Sequence, residues 1–323
     1  MNVLVTGGAG YIGSALIKRL IDKGDSIVSI DNLYRGDYRY LTKLKRPKRL
    51  IMLVGDIRKP EDLEAAIRRA DNVDAIVHAA AIPGLERCRR EPEKAISTNV
   101  YGTYNILELA RRHDIERVIL TSSAAVYGIP TKTPIPEDHP LKPINLYGVT
   151  KLAAEKLMGV YHENHGLSTV ILRFGNVYGV GLYTYWETVI PRFVKQALDG
   201  KPLTIYGDGE QSRDFIHIQD VTKAIELTLK AEKKLIKGET FNVGTEKPTK
   251  IKTVADIVSR VIQEETKKDV GVMRLPPRPG EPYILNFCLS TKKIRERLLF
   301  QPSFEIDDGV RQLIRYEKTL RGI

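Results

Sequence analysis

An alternation along the first half of the chain limits its fold more than any other feature. Apolar runs of strand length, "NVLVT", "SIVSI", "LIMLV", "DAIVHA", "RVILTS" and "STVILRF", alternate with segments of helical period such as "YIGSALIKRLIDKG" and "PEKAISTNVYGTYNILELARRH". Strands joined through helices pair in parallel, and a parallel sheet needs helices over both faces. The expected class is therefore α/β, with a doubly wound parallel-sheet (Rossmann) domain over residues 1–174. After Phe174 the pattern changes to a Pro/Gly/Tyr-rich stretch, the helical segment "ETVIPRFVKQALDG", and short strand-like runs "LTIYG" and "DFIHI". A helix after Asp220, the run "ETFNVG" and the helices "TVADIVSRVIQEET" and "DDGVRQLIRYEK" follow. No repeat or low-complexity linker separates the halves. A smaller mixed α/β lobe, mainly 175–323, is thus read as interleaved with the first, with a segment near 214–244 returning to the larger domain.

Composition narrows the function classes. With 42% hydrophobic and 28% charged residues the 323-residue chain can bury a full core, and no apolar run approaches the roughly 20 residues of a membrane span, so no membrane partner is expected. "NVLVT" begins at residue 2, which leaves no room for a signal or transit peptide before it; a cytoplasmic location is the expectation. Cys88 and Cys288 are far apart and in no metal-type spacing, so neither a disulfide framework nor a zinc site is indicated. His162 and His165 have only Glu163 between them as a third ligand, and His217 lies in a strand-like alternation that suits a packed imidazole; no metal is expected. The net charge of +11 would suit nucleic acid or an anionic small substrate. Its basic residues are scattered, however, and the densest run, "KLKRPKR" from Lys43 to Arg49, carries no interleaved aromatics for base stacking. Nucleic acid is not an expected partner.

The run "VTGGAGYIGSALI" places Gly7, Gly10 and Gly13 between a strand and a helix, the context in which a dinucleotide pyrophosphate sits on a helix N-terminus. The second strand ends in Asp31, 18 residues beyond Gly13, where a carboxylate can accept both ribose hydroxyls and repel a 2′-phosphate. NAD is favoured over NADP, although Arg35 lies nearby. A second pairing stands in "NLYGVTKLAAE", where Tyr147 precedes Lys151 by four residues at the entry to a helix. Side chains four apart lie one above the other, and a cation near a phenol favours the phenolate.

Ten motifs in order extend these two. They are "TGGAGYIGS", "DNL" at 31 to 33, "GDI" at 55 to 57, "HAAA" at 78 to 81, "NVYGT" at 99 to 103, "SSAAVYG" at 122 to 128, "YGVTK" at 147 to 151, "RFGNVYG" at 173 to 179, "RDFIHIQD" at 213 to 220 and "RPGE" at 278 to 281. In them the chain resembles the extended short-chain dehydrogenase/reductases and, within these, the nucleotide-sugar 4-epimerases of the UDP-glucose 4-epimerase type. The likeness spans nearly the whole chain.

The resemblance implies NAD contacts at Tyr11, Ile12, Asp31, Asn32, Asp56, Ile57, Ala79, Ala80, Asn99, Ser122, Tyr147 and Lys151. It implies that Lys151 holds the nicotinamide ribose and lowers the phenol's pKa, that Tyr147 is the base, and that Ser123 hydrogen-bonds the reacting sugar oxygen. Asn176, Arg213 and Arg278 are implied as contacts to the nucleotide diphosphate, and Leu285, seven residues beyond Arg278, as a residue of the hexose pocket. Related dehydratases and decarboxylases carry acidic residues just before "VYG", where this chain has Ala124 and Ala125. The implied reaction is therefore epimerisation at C4 of UDP-glucose or UDP-galactose through a transient 4-keto sugar. Leucine at 285 is of intermediate size, so N-acetylated sugars are expected to be poorer substrates. A 4-epimerase of uronic or N-acetylated sugars, a keto-sugar reductase, and a non-catalytic NAD-binding regulator stay open beside it. Cys88 and the segment Tyr183–Trp186 fit no pattern of the family. The segments "PEKAISTNVYGTYNILELARR" and "YGVTKLAAEKLMGVYHE" carry more apolar surface than one sheet face requires, which with the resemblance implies a homodimer built on a four-helix interface.

Overall fold

A computed structural model describes residues 1–44, 47–70, 72–278 and 283–322. Lys45 and Arg46 of the basic run, and Pro279, Gly280 and Glu281 of the "RPGE" motif, lie outside the described residues. The first six strands are β1 (Asn2–Thr6), β2 (Ser26–Asp31), β3 (Leu50–Val54), β4 (Ala75–His78), β5 (Arg117–Ser123) and β6 (Ser168–Phe174). Helices α1 (Tyr11–Asp22), α2 (Pro60–Arg68), α3 (Leu85–Arg90), α4 (Pro92–Ile96), α5 (Gly102–Arg112) and α6 (Leu146–His165) run between them.

The chain continues through β7 (Asn176–Tyr178), α7 (Val189–Leu198), β8 (Leu203–Tyr206), β9 (Ser212–His217), α8 (Ile218–Lys230), α9 (Lys233–Ile236) and β10 (Glu239–Val243). It ends with β11 (Pro248–Lys250), α10 (Ile251–Thr266), β12 (Val272–Leu275), α11 (Lys292–Leu298) and α12 (Ile306–Arg321). The main sheet has seven parallel strands in the order β10-β6-β5-β4-β1-β2-β3, so a strand from residues 239–243 completes a sheet begun at residue 2.

Strand alternation explains the two layers. Val3, Val5, Val77 and Ile119 point into one core with Leu16 and Ile17 of α1 and Val221 and Ile225 of α8. Their neighbours Leu4, Ile76, Val118 and Leu120 point into the other, with Ile106 and Leu109 of α5 and Ala154 and Met158 of α6. A separate core joins α7, α10 and α12 through Phe193, Val194, Val254, Val258, Leu313 and Ile314. Beside it lie a three-stranded sheet, β11-β9-β7, and a two-stranded one, β12-β8.

The winding reverses between β1 and β4, which pair in register with Thr6 opposite His78. A crevice opens at the carboxyl ends of these strands, as it does at such switch points generally. Thr6 and Thr103 hydroxyls hydrogen-bond the two nitrogens of His78, at 2.8 and 3.0 Å, and burial followed by the nearby Lys151 charge pushes that imidazole down to about 3. His78 is thus a neutral strut under the crevice. His217 is also fully buried, stacked on Phe304 with ring centroids 4.1 Å apart.

Candidate active site

The crevice continues into a cavity of about 510 Å³ lined by residues from 7 to 287. One end is made of backbone. Gly7, at φ +70, has no room for a side chain, since a Cβ there would stand 2.6 Å from the Ala80 nitrogen, and one on Gly13 would stand 2.1 Å from the Gly7 carbonyl oxygen. The first turn of α1 follows, with no side-chain cap and no acidic residue. Its Tyr11, Ile12 and Gly13 line the cavity, leaving a positive helix end open to an anion. At the tip of β2 the Asp31 carboxylate accepts from the Ala9 and Leu33 amides at 3.1 and 2.8 Å. Burial nonetheless raises its pKa.

The other end is made of side chains from β5 and α6. The Asn145 side chain caps α6 by accepting from the Gly148 amide at 2.9 Å, which places Tyr147 in the first turn. Ser123 ends β5 and lines the same cavity as the Tyr147 phenol. Burial pushes that phenol up to about 12, with Ser123 acting in the opposite sense. Lys151, only 3% exposed, is pushed down to about 8 by burial, while Glu155 one turn further on works to raise it. Lys151 therefore does not by itself activate the phenol in the NAD-free protein. It stands on the same buried stripe, one turn along.

Glu155 belongs to a buried network. It accepts from the Ser122 hydroxyl at 2.6 Å and from Arg173 at 2.8 Å, and Arg173 donates to the Tyr127 hydroxyl at 2.8 Å. Tyr127 in turn donates to the Asn242 amide oxygen at 2.7 Å. Three strands, β5, β6 and β10, are thereby tied to α6 and to the turn that holds Tyr127, behind Ser122 and Ser123.

β7 supplies Asn176 and Val177, β9 supplies Arg213, and Ile284 and Phe287 complete this side of the cavity wall. Arg213 donates to the carbonyls of Ser212 and Ile284 at 2.7 and 2.9 Å, which fixes its guanidinium. Gly7, Gly10, Tyr11, Ile12, Gly13, Asp31, Asn32, Ile57, Ala79, Ala80, Ser122, Ser123, Tyr147, Lys151, Asn176 and Arg213 are thus brought together around one space.

Four expected residues stand outside its lining. The Asp56 carboxylate bonds Arg58 and Asn32 and is held at about 2, burial opposing that shift and the two partners outweighing it. Asn99, in a π-helical turn before α5, holds both backbone groups of Ile82 and so braces the loop after β4. Arg278 stacks over the Tyr206 ring at 4.3 Å. Leu285 is half exposed on a separate shallow groove with Ile129 and Pro130; Ile284, which borders both spaces, and Phe287 line the cavity, and Leu285 does not.

A sequence profile of the NAD dependent epimerase/dehydratase family matches residues 3–244. The chain belongs to this family. It is 34% identical over 337 residues to a UDP-glucose 4-epimerase of Lactobacillus helveticus, covering 99% of this chain and 98% of that relative. Among solved structures it is similar to UDP-glucuronic acid 4-epimerase from Bacillus cereus in complex with UDP-glucuronic acid and NAD, with 30% identity, a TM-score of 0.87 and coverage of 99% and 100% of the two chains. It is also similar to a dTDP-glucose 4,6-dehydratase from Streptomyces venezuelae with NAD bound, at 31% identity, a TM-score of 0.89 and coverage of 100% and 98%.

NAD is the cofactor of this epimerase/dehydratase family, and the cavity fits it. The glycine cradle, the uncapped positive end of α1 and the Asp31 carboxylate suit a diphosphate and an unphosphorylated ribose. Among the described residues no group of three or more His, Cys, Asp or Glu side chains could hold a metal. Sequence reasoning missed Glu155 and Arg173, although Glu155 carried a signal: it lies four residues beyond Lys151, on the apolar stripe that includes Ala154 and Met158. Tyr185, Ile284 and Phe287, all cavity residues, carried no local signal.

Proposed function

We propose that this family member epimerises carbon 4 of a UDP-hexose, with UDP-glucose and UDP-galactose as its substrate pair. One observation carries the reading. Among the described residues lining the cavity, Asp31 is the one carboxylate. It lies three strands from Ser123 across the sheet, about 14 Å at the usual strand spacing. Beside Ser123 stand Ala124 and Ala125, so among the described residues no carboxylate lines the reaction end to help expel water from carbons 5 and 6. Proton exchange at a single hydroxyl is what remains.

Bound NAD supplies an acceptor for the carbon 4 hydride and a donor for its return to the other face of the sugar. Tyr147 takes the proton from the 4-hydroxyl as that carbon is oxidised and gives it back afterwards. Ser123 holds the same oxygen and so keeps it in line with the phenol. Lys151, charged below its pKa of about 8, favours the phenolate and anchors the ribose hydroxyls beside it. Arg213, its guanidinium already fixed, meets the diphosphate, with Asn176 and Arg278 as further contacts. The cations lining the cavity are Arg35, Lys151 and Arg213 among the described residues. With Arg35 stacked on Tyr185 and the other two assigned, a neutral hexose suits the pocket better than a uronate.

A panel of UDP-, dTDP- and GDP-sugars, offered without added NAD and followed by NMR, tests this. Interconversion of UDP-glucose and UDP-galactose is expected; a 4-keto-6-deoxy product, or turnover confined to UDP-glucuronate, would overturn it.

A homodimer is part of the same reading. Ile96, Tyr101 and Tyr104 in the α4–α5 region and Val149 and Val160 on α6 are between 41% and 49% exposed, and α5 packs against α6. A second copy would cover them. Light scattering should give twice the 36.4 kDa chain mass at micromolar concentration. A cytoplasmic location fits two buried, unpaired cysteines. No helix among the described residues is long and apolar enough to cross a membrane.

A further inference from the structure

The segment Tyr183–Trp186, which the motifs leave unassigned, crosses from one lobe to the other. It lies between β7 and α7, and Trp186 fixes it to the second lobe by stacking on Tyr316 of α12, with ring centroids 6.5 Å apart and planes within 14°. The Tyr183, Tyr185 and Glu187 side chains reach the first lobe, while Thr184 bonds Gly181 within its own loop. Tyr183 meets the Tyr40 ring edge-on with centroids 6.4 Å apart, Tyr185 lies under the Arg35 guanidinium at 4.4 Å, and Glu187 pairs with Arg87 of α3 at 2.7 Å. Glu187 also accepts from the Tyr185 hydroxyl at 2.7 Å, so the aromatic and ionic contacts act as one unit.

These partners stand on the loop after β2 and on α3, on either side of the glycine turn. Tyr183 and Tyr185 line the same cavity as Gly7 and Asp31. The Tyr185 hydroxyl also stands 3.7 Å from where a Cβ on Gly84 would be, so it spans the crevice toward the loop after β4. We propose that residues 183–187 are a clasp, closing the cavity over bound NAD and setting how fast the cofactor enters and leaves.

The contacts suit that role because each is weak alone. The Arg87 and Glu187 side chains are 28% and 57% exposed, and exposed ion pairs and cation–π contacts are each worth little, so the clasp can open without disturbing either lobe. An enzyme that returns its hydride within each turnover need not exchange its cofactor, so slow exchange would not limit its rate. The inference rests on the family's use of NAD and not on which sugar is bound. Its failure is therefore distinguishable from failure of the 4-epimerase reading.

The test measures association and dissociation rates of NADH with the full-length, NAD-free protein by stopped-flow fluorescence, with no sugar present. Tyr185→Ala is expected to raise both rates by about tenfold and Glu187→Gln by about threefold, in keeping with weak contacts of this kind. Arg87→Glu and Glu187→Arg should each accelerate exchange, and their combination should return it toward the wild-type value. Should the melting temperature of Tyr185→Ala fall below that of the wild type, Tyr185→Phe, which keeps the ring and loses the Glu187 contact, replaces it and is expected to behave like Glu187→Gln. Rates within twofold of wild type in both single variants would overturn the clasp. So would a rise in dissociation with association unchanged, which would make these side chains ordinary binding contacts.

Discussion

The two ends of the cavity are made of different materials. At the glycine-rich end the shape comes from backbone: a left-handed glycine, a second glycine against its carbonyl, and the first turn of α1, all supplied within residues 7–13. At the Ser123 end it comes from side chains that converge from distant places, such as Arg213 held by the carbonyl of Ile284, with Arg173, bonded to Tyr127, which reaches Asn242, behind the wall. The difference teaches where such a protein can vary. A backbone cradle recognises what every member of the family shares, and admits no added carbon. A wall of side chains can be exchanged residue by residue, and that is where a 4-epimerase and a dehydratase can part while keeping one fold.

The comparison breaks most sharply at Tyr147. Tyr147→Phe keeps the ring in place and cannot accept a proton, so turnover should fall by about 10²- to 10⁴-fold, the usual contribution of a general base, with NAD content unchanged. A coupled assay of carbon 4 epimers checks it, and retention of more than about a tenth of the rate would remove Tyr147 from its role. At the opposite end, Gly13→Ala puts a carbon 2.1 Å from the Gly7 oxygen, with Gly8 backbone at 2.8 Å. Neither neighbour can swing away as a side chain could. NAD binding should weaken by about 100-fold or more, matching the roughly 3 kcal/mol that forced overpacking costs. Calorimetric titration with NAD measures this; binding within fivefold of wild type would show that the turn can yield.

The same contrast explains what could be read from the sequence. The glycine spacing and the strand-helix alternation are local patterns that reflect backbone requirements recurring wherever the fold does, and Asp31 is placed by the end of the second strand. Tyr147 and Lys151 were legible because helical spacing ties them together. Arg213 was legible only through its motif, since nothing in residues 212–217 says that Ile284 will come to hold it. Glu155 lay in plain view on a helix stripe, but its pairing with Arg173 depends on β6 arriving beside α6. Tyr185 had no pattern at all, because its partners Arg35 and Glu187 come from opposite lobes and meet only once both have folded.

A smaller effect separates the buried cation from its fixed counterpart Arg213. Burial lowers the Lys151 pKa from 10.5 to about 8. Between those values the unfolded chain keeps a proton that the folded chain has lost, so this group's contribution to stability rises with pH there; below about 8 both states are charged and the burial cost is felt in full. Lys151→Met removes that cost. The NAD-free variant should be more stable than wild type at pH 7 by up to about 3 kcal/mol, the equivalent of that shift, and the gain should vanish as pH rises to 10.5. Urea unfolding of both proteins at pH 7 and pH 10 measures it, and a gain that does not shrink with pH would assign it to packing alone.

The smallest expected effect lies at Leu285. Its side chain is half exposed and faces the shallow groove of Ile129 and Pro130, while its carbonyl accepts from the Ser212 amide at 2.7 Å, so what it gives the site is backbone. The chain turns between 284 and 287 so that Ile284 and Phe287 face the cavity and Leu285 faces out. A pocket position counted from Arg278 thus falls on the wrong side of the segment. Leu285→Gly should leave the ratio of kcat/KM for UDP-N-acetylhexosamine to that for UDP-hexose within twofold of wild type. Ile284→Ala, by enlarging the wall itself, should raise the ratio by about tenfold, the lower end of what a few methyl groups decide in an apolar pocket. If Leu285→Gly moved the ratio and Ile284→Ala did not, the hexose would have to sit beyond the cavity wall, and the side-chain end of the comparison would need to be redrawn around the outer groove.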